Sequence, residues 1–473
     1  MNGSPWAWGL FAVYLGVTSW LAWRGGRRSG GSTRGFAIGS GRMSPWVAGM
    51  TLGACLASSA TFVLFPGFVY ADGLPALIGF TLPLVAGIAV GLLVLGPRFQ
   101  ELGARSGALT LPHWLGARYD SPLLRRTFSA LNVLNVAYLV LITVGCGYVM
   151  ERALGLPYTW SVVGIVAFVF AYTGLGGAWA HAFTNTLQGA VMLVVAVVVF
   201  ASGLGMWADG TAGAALAASG WTAPGSPLFS TAWEVWLVPF LMGAALSSQP
   251  HLLTKALYVA DRRALAQTTA IGTVTFAVFS LVLFAGVYAR VGLPAGVPQD
   301  QVMAEFLLVA FPREPLGALV SVAILAASMS TMDGLLVAIS ASVAGDLLPG
   351  RGGVGLNRIV LLGLAGATLA MALTPPKLVL ILGQLGVYGL VAAGAGPLVA
   401  GLFLRGPLRA GPALASAAAA LTVHFSLALG GLTPNPGVSA ALALAVGLPV
   451  AVGGARIAAW RARRAERAAP ATG

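Results

Sequence analysis

The chain has 473 residues, of which 58% are hydrophobic and only 8% are charged, and its mean hydropathy is +0.88. So few charges over such a length exclude a soluble globular protein and indicate a polytopic membrane protein. The net charge of +13 does not indicate a nucleic-acid partner, because the basic residues lie in short clusters between apolar segments and form no single basic face.

Apolar segments of membrane-spanning length recur along the chain and predict about thirteen transmembrane helices. They lie at 5–24, 45–70, 76–96, 127–150, 157–178, 185–207, 232–252, 266–290, 315–347, 357–374, 378–404, 410–430 and 437–459. The predicted fold class is therefore an all-α polytopic protein that crosses the lipid bilayer of the cell membrane many times.

The lysines and arginines alternate between the two sides of these segments. With the N-terminus outside, 22 of the 26 fall on the cytoplasmic side. The four on the outer side are Arg152, Arg290, Arg313 and Lys377. Because basic residues are enriched in cytoplasmic loops, the pattern predicts an outer N-terminus and an inner C-terminus. It places Lys255 in a cytoplasmic loop and predicts solvated side chains for His113 and His181.

The segment 315–347 carries a run of polar residues near its middle. Of the thirteen acidic residues, Asp333 is the only one placed deep inside a predicted span. A charge there costs about 2.5–3.5 kcal/mol on insertion scales, so it marks an ion or substrate path. The alternative is a carboxylate that a neighbouring helix satisfies, or one that is held protonated. Ala327, Ser330 and Thr331 share one helical face by their spacing, and their oxygens offer half a coordination shell for a hard cation such as Na⁺.

Two predicted helices are interrupted at mid-span. One carries Ala57-Ser58-Ser59-Ala60-Thr61 and the other, five helices later, carries Ser247-Ser248-Gln249-Pro250. Unwound backbone at this depth is tolerated where it lines a cavity or meets other protein groups. Interrupted spans in corresponding positions of two halves are typical of transporters built from inverted repeats, whereas kinks in two packed helices are the alternative.

Four stretches resemble the sodium/solute symporter family. They are Ala57–Gly73, Gly176–Gln188, Gln249-Pro250-His251 and Ile324–Asp346, and the run Ala-Ala-x-Met-Ser-Thr in the last is the most specific. The resemblance spans most of the chain and implies a LeuT-like core of two five-helix inverted repeats. Within a single transporter domain over 1–473, an extra helix and loop at 5–42 would precede repeats at 45–207 and 232–404. Two further helices with a basic tail, at 408–473, would follow.

The resemblance also implies the ligands of a sodium ion, with backbone carbonyls on the first core helix facing hydroxyls on the eighth. The matching positions are Ala54, Ala57, Ala327, Ser330 and Thr331. Where the family often has an aspartate, this chain has Asn185, so a second cation or proton site at Asp333 and Asn185 is left open. One coupling ion is the preferred count.

The solute is expected beside the broken helices near the midplane. The candidate side chains are Ser58, Ser59, Thr61, Phe62 (or Phe65), Tyr138 and Gln249. No Arg or Lys falls at this depth in the sequence interpretation, which disfavours a bulky anion.

These features predict sodium-coupled symport of a small organic solute by alternating access, with Na⁺ as the coupling ion. We expect no enzymatic activity, no organic cofactor and no nucleic-acid partner. Members of the family that resemble this chain carry amino acids, monocarboxylates, vitamins such as pantothenate, sugars or sialic acids. Two alternatives stay open: proton coupling at Asp333 in the same fold, and a solute sensor that uses a transporter fold.

Overall fold

The computed structural model describes residues 5–28, 33–311, 314–348, 354–375 and 379–468, and within them the chain is helical with no β-strand. The first ten helices are α1 (Pro5–Arg28), α2 (Thr33–Ile38), α3 (Pro45–Leu56), α4 (Phe65–Asp72), α5 (Leu74–Phe80), α6 (Leu82–Ser106), α7 (Leu111–Arg118), α8 (Pro122–Leu131), α9 (Val136–Leu154) and α10 (Tyr158–Ser202). The middle of the chain forms α11 (Leu204–Ala208), α12 (Thr211–Ala217), α13 (Val238–Leu246), α14 (Pro250–Leu253), α15 (Arg262–Phe279), α16 (Phe284–Gly292) and α17 (Val302–Ala310). The last helices are α18 (Glu314–Ser342), α19 (Val354–Ala372), α20 (Val379–Phe403), α21 (Ala410–Leu429) and α22 (Pro436–Ala468).

Each of the thirteen predicted segments coincides with helical structure. In the described part of the chain, nine helices are long and apolar enough to cross a membrane, and the bent pair α3 and α4 makes a tenth. Two shorter apolar helices, Tyr158–Gly174 and Trp233–Leu246, overlap two more of the predicted segments. The count of thirteen spans, the outer N-terminus and the bounds of the two repeats stay predictions.

The interruption predicted in the second span lies between α3 and α4. Helix α3 ends at Leu56 because Ala57 is extended, with φ −93° and ψ 129°. The chain then resumes in a π-helical turn at Ala60–Leu64 and continues as α4, bent by 52° from α3. The carbonyl of Gly53 still accepts from the N–H of Ala57, but those of the residues after it in α3 lack helical N–H partners and are free for other contacts.

The second predicted interruption lies between α13 and α14. Helix α13 ends at Leu246, and Gln249 is extended, with φ −57° and ψ 136°, directly before Pro250. Proline has no backbone N–H and its φ is preset for a first helical position, so it starts α14 but cannot continue α13.

A sharp kink divides α10 at Gly177, whose φ of 60° and ψ of −155° favour glycine. The second arm, Gly177–Ser202, packs with α3 and α18. Helix α18 occupies the centre of the molecule, in contact with α1, α3, α9 and α10, and 94% of its most apolar window is buried. A helix that is apolar on nearly every face belongs in such an interior position. Its few polar side chains are thereby held against α3 and α10.

Candidate functional site

Backbone carbonyls at the broken end of α3 meet two hydroxyls of α18. The Ser330 hydroxyl donates to the carbonyl oxygen of Ala54 at 2.9 Å and to that of Ala327 at 2.8 Å. The Thr331 hydroxyl donates to the carbonyl of Ala57 at 3.0 Å. All five side chains are buried, so the five residues predicted as sodium ligands come together in one dry place.

A sixth oxygen in this cluster was missed by the sequence interpretation. The carbonyl of Cys55 accepts from the Thr331 hydroxyl at 3.3 Å. No side-chain pattern could have indicated it, because this oxygen belongs to the backbone that the helix break exposes. We call the carbonyls of Ala54, Cys55, Ala57 and Ala327, with the hydroxyls of Ser330 and Thr331, the oxygen cage.

The chemistry of the oxygen cage suits a small hard cation. A hydroxyl can both donate and accept a hydrogen bond. In each cage hydroxyl the proton now points toward two carbonyl oxygens. If the O–H bond rotates away, a lone pair of the hydroxyl oxygen points to the same place and could bind a cation there. Neutral oxygens in this number are ligands that hard cations accept. The site combines segments of α3 and α18 that are about 270 residues apart in sequence, so a bound ion would tie the two helices together.

Asp333 lies one turn from the cage on α18, within a network of donors. Its Oδ1 lies 2.8 Å from His181 Nδ1, and its Oδ2 accepts from the Tyr172 hydroxyl at 3.0 Å and from the Thr184 hydroxyl at 3.4 Å. The predicted solvation of His181 is wrong, because its side chain is buried against Asp333. The kink at Gly177 turns the first residues of the second arm of α10 inward, where His181 and Thr184 reach α18.

Asn185 lies behind the oxygen cage. Its amide nitrogen donates to the carbonyl of Ser330 at 3.2 Å and approaches the sulfur of Cys55 at 3.2 Å. Its amide oxygen is buried and has no hydrogen-bond partner among the described residues. Asn185 and Asp333 are thus both close to the oxygen cage. Their side chains have different hydrogen-bond partners, so they do not form one shared site.

A cavity extends from the break in α3 toward the connection 208–231, the side that the basic-residue pattern places outside. It offers about 110 Å³ to the centres of water molecules, and since one water needs about 10–15 Å³ by this measure, several waters or a small solute fit. Four predicted solute-site residues line it: Ser58, Thr61, Tyr138 and Gln249. We call it the outer cavity.

The outer cavity is mainly apolar with a few polar groups. Ser58 and Tyr138 share a hydrogen bond of 3.2 Å between their hydroxyls. The amide of Gln249 donates to the carbonyl of Val387 at 3.2 Å and its oxygen accepts from Asn135 at 3.3 Å. The aromatic side chains that line the cavity are Phe65, Phe80, Tyr138, Phe229, Phe276 and Tyr388.

Two predicted solute contacts do not line the outer cavity. The Ser59 hydroxyl donates to the carbonyl of Ile142 at 3.0 Å, and Phe62 is fully buried edge-on against Phe279. Ser59 lies in the break and Phe62 in the π-helical turn that follows it, and both side chains face the packed interior. Regular helical spacing could not assign their direction. Phe65 faces the cavity.

Sequence reasoning missed two residues of this region. Gln384 on α20 lines the outer cavity, and its amide oxygen is buried without a partner among the described residues. A lone glutamine inside an apolar span was the available signal. Lys255, assigned to a cytoplasmic loop, is only 2% exposed and lines a second, smaller cavity below the break in the seventh span.

Two broken helices around a cavity, next to a cage of carbonyl and hydroxyl oxygens, define a secondary transporter of the multi-pass membrane type. Comparison with known proteins gives its family. Residues 36–404 match the model described as the sodium:solute symporter family. The chain belongs to that family, so it is a sodium-coupled transporter of a small solute and not an enzyme.

Curated relatives match over most of their length. The sodium/pantothenate symporter of Escherichia coli (strain K12) is 29% identical over 400 residues, which cover 80% of this chain and 81% of the relative. The sodium/proline symporter of Staphylococcus aureus (strain Newman) is 27% identical over 356 residues, covering 71% of this chain and 67% of the relative.

A solved structure confirms the predicted fold class. A substrate-bound, outward-open Na⁺-coupled sialic acid symporter superimposes with a TM-score of 0.77, covering 96% of this chain and 98% of that one at 17% sequence identity. The all-α, LeuT-like architecture is therefore shared across nearly the whole chain.

Proposed function

We propose that this protein couples inward movement of Na⁺ through the oxygen cage to uptake of a compact, carboxylate-bearing organic solute held in the outer cavity. The observation that carries the proposal is the position of the Ser330 and Thr331 hydroxyls within hydrogen-bond distance of carbonyls that the break in α3 sets free.

Sodium would act by joining α3 to α18. An ion that binds the conformation with α3 and α18 joined more tightly than other conformations increases the population of that conformation. The size of this shift is limited by the difference in Na⁺ affinity between the conformations. Ser58, three residues beyond the cage carbonyl of Cys55, lines the outer cavity, so an ordered break presents the solute contacts at the same time. By linkage, solute must then raise the affinity for Na⁺ as much as Na⁺ raises that for solute.

The solute class is proposed from the relatives together with the lining. Pantothenate, proline and sialic acid, which the names of the relatives and of the neighbour carry, all contain a carboxylate. The lining has few polar side chains, and each buried hydroxyl of a ligand needs a partner to offset its desolvation. A compact solute with an apolar part fits this cavity better than a sugar does. Pantothenate and proline are the solutes to test first.

A single coupling ion is proposed. Asp333 already accepts from three donors, so a cation there would have to displace His181, Tyr172 or Thr184. At Asn185, the carboxylate that could compensate a second positive charge is replaced by a neutral amide. Asp333 is therefore assigned to joining α10 and α18, and proton coupling at this residue is not preferred.

Removing the cage hydroxyls tests the sodium site. In Ser330→Ala and Thr331→Ala, we expect the half-saturating Na⁺ concentration to rise about tenfold or more, since each loses a neutral oxygen ligand of a cation. The measurement is the Na⁺-specific rise in melting temperature of the purified protein, with K⁺ or choline at equal ionic strength, because a ligand of the folded state stabilises it with concentration.

Ser328→Ala is the matched control, since the Ser328 hydroxyl donates to Ile324 within the same helix. It should keep the response to Na⁺. The same proteins in proteoliposomes should take up labelled pantothenate or proline only with an inward Na⁺ gradient. Equal Na⁺ responses in all three variants and the wild type would show that the ion binds elsewhere. If the protein takes up neither pantothenate nor proline, both are rejected as the solute, but the sodium-site proposal is not affected.

A further inference from the structure

Lys255 is buried without a counter-ion. Its side chain is 2% exposed, and its ammonium donates to the backbone carbonyl of His251. Among the described residues, no carboxylate lies within 4.0 Å of it. A charge removed from water is costly unless it is paired, so such a lysine is poised to gain free energy from an anion.

A second unsatisfied group lies one helical turn before it. His251 is buried, and its Nδ1 has no hydrogen-bond partner in the described part of the chain. Its side chain lines the outer cavity and also the smaller one, so it stands between the two. The break after α13 and the proline that starts α14 place both His251 and Lys255 on the cytoplasmic side of Gln249.

The smaller cavity, which we call the inner cavity, is lined by His181, His251, Lys255 and Tyr258 and by residues of α18. It offers about 20 Å³ to the centres of water molecules, enough for one group of the size of a water or a carboxylate. Three of its four hydroxyls are engaged elsewhere: Thr110 donates to Asp346, Thr254 to Pro250 and Ser342 to Ala338. The His181 ring is held by Asp333. The groups that remain for a ligand are Lys255, His251 and the Tyr258 hydroxyl, and each of them can donate to an anion.

We propose that the inner cavity is an anion subsite on the release path, where Lys255 and His251 bind the carboxylate of the solute before it reaches the cytoplasm. This inference rests on the proposed function, because it requires a carboxylate-bearing solute. A group in the outer cavity passes His251 first and Lys255 next on the way inward. The subsite holds only the carboxylate, so the rest of the solute enters as α14 and α18 move apart.

Replacing the charged side chain of Lys255 tests the subsite, because the change should affect transport from the inner face of the membrane and not from the outer face. In proteoliposomes that transport pantothenate or proline, Lys255→Met should raise the half-saturating concentration for efflux, from the inner face, about tenfold or more. The value for uptake, from the outer face, should change less than about twofold. Lys255→Arg keeps the charge and should restore the efflux value to within about threefold. The alcohol analogue of the solute, without a carboxylate, should be unaffected by Lys255→Met.

An equal change on both faces would show that Lys255 only holds the structure, and no change on either would show that it does not meet the solute. Either result overturns the subsite. Failure of the wild type to transport either solute would concern the proposed function, and it is seen before any variant is compared.

A measurement on the wild type needs neither a known solute nor a folded variant. The chain has two lysines, Lys255 and Lys377, and reductive methylation of each can be followed by peptide mass spectrometry in sodium-free potassium buffer. Potassium acetate, the probe, should slow modification of Lys255 severalfold against potassium chloride at equal ionic strength and leave Lys377 unchanged. Equal rates in the two salts, or no modification of Lys255 at all, would overturn the proposal.

Discussion

At the scale of single residues, two hydroxyls and one carboxylate on α18 contact different helices although they are neighbours in sequence. Ser330 and Thr331 face carbonyls of α3 across the helix break, whereas Asp333 faces donors of α10. Thr331 and Asp333 are two positions apart and so point to nearly opposite sides of the helix, whereas Ser330, three positions before Asp333, lies on the flank between them. The Asp333 carboxylate is thus hydrogen-bonded by side chains of α10, which is the alternative to an ion path that the sequence left open.

Asp333→Asn separates a structural role from a coupling role. We expect the free energy of unfolding to fall by about 3–5 kcal/mol, as when one partner of a buried pair is removed. Half-saturation by Na⁺ should shift less than about threefold, because the oxygen cage keeps its ligands. Melting temperatures over a series of Na⁺ concentrations report both the loss of stability and the half-saturating Na⁺ concentration.

The control for this variant is Asp209→Asn at an exposed aspartate, which should leave the melting temperature near that of the wild type. Proton coupling at Asp333 predicts a different transport result. In that case transport would continue without Na⁺ in the wild type and stop in Asp333→Asn.

At the scale of elements, glycines set how closely the helices around the outer cavity approach. Helices α6 and α13 cross at Gly87 and Gly243. A Cβ at Gly87 would lie 2.1 Å from the carbonyl oxygen of Phe240, and one at Gly243 would lie 2.3 Å from that of Leu84. Small residues at helix crossings let backbones touch in membranes, where apolar lipid gives helices little other reason to associate.

Gly87→Ala and Gly243→Ala should each lower the melting temperature and the yield of folded protein, because the obstructing atoms are backbone and cannot rotate away. Gly164→Ala on the exposed side of α10 meets nothing within 4 Å and should be neutral or stabilising by at most about 1 kcal/mol. Fluorescence-detected unfolding in detergent measures all three. Equal melting temperatures for the three variants would mean that α6 and α13 are not in contact in the folded protein.

At the scale of the whole molecule, the two cavities lie on opposite sides of the break in the seventh span. The outer cavity reaches Phe229 and Asn435 near the connections predicted to be outside, and the inner cavity reaches Leu109 and Thr110 near those predicted to be inside. The outer cavity is the larger of the two, at about 110 Å³ against about 20 Å³. Alternating access requires a second state in which the inner cavity is larger than the outer cavity.

Cysteine labelling should report this exchange. Leu246→Cys, in the lining of the outer cavity, should react faster from outside with an impermeant maleimide when Na⁺ is present, and solute should protect it. Ala338→Cys, in the lining of the inner cavity, should react from inside and more slowly with Na⁺. The wild type gives the background rate of labelling, since Cys146 is buried and Cys55, although buried, belongs to the lining of the outer cavity. Rates that Na⁺ changes in the same direction at both positions would contradict an alternation between two openings.

Much of this protein follows from local properties of its chain. Apolar segments about 20 residues long assign membrane-spanning helices. Prolines and hydroxyls at mid-span locate the two breaks, and the spacing of Ala327, Ser330 and Thr331 predicts one polar face. Each of these depends on neighbours within a few turns, so the sequence alone could establish the fold class and half of the oxygen cage.

Contacts between distant segments depend on how the helices pack, which no local pattern reports. The carbonyl of Cys55 joins the cage because α3 ends there against α18. Ser59 faces the packed interior and not the outer cavity because it lies in the break between α3 and the π-helical turn, and His181 is buried because α10 kinks at Gly177. Lys255, which the sequence places in a loop, is buried because the chain after Pro250 folds back under the broken span. Burial and partner identity are sums over neighbours remote in sequence, so they became visible only once the helices were assembled.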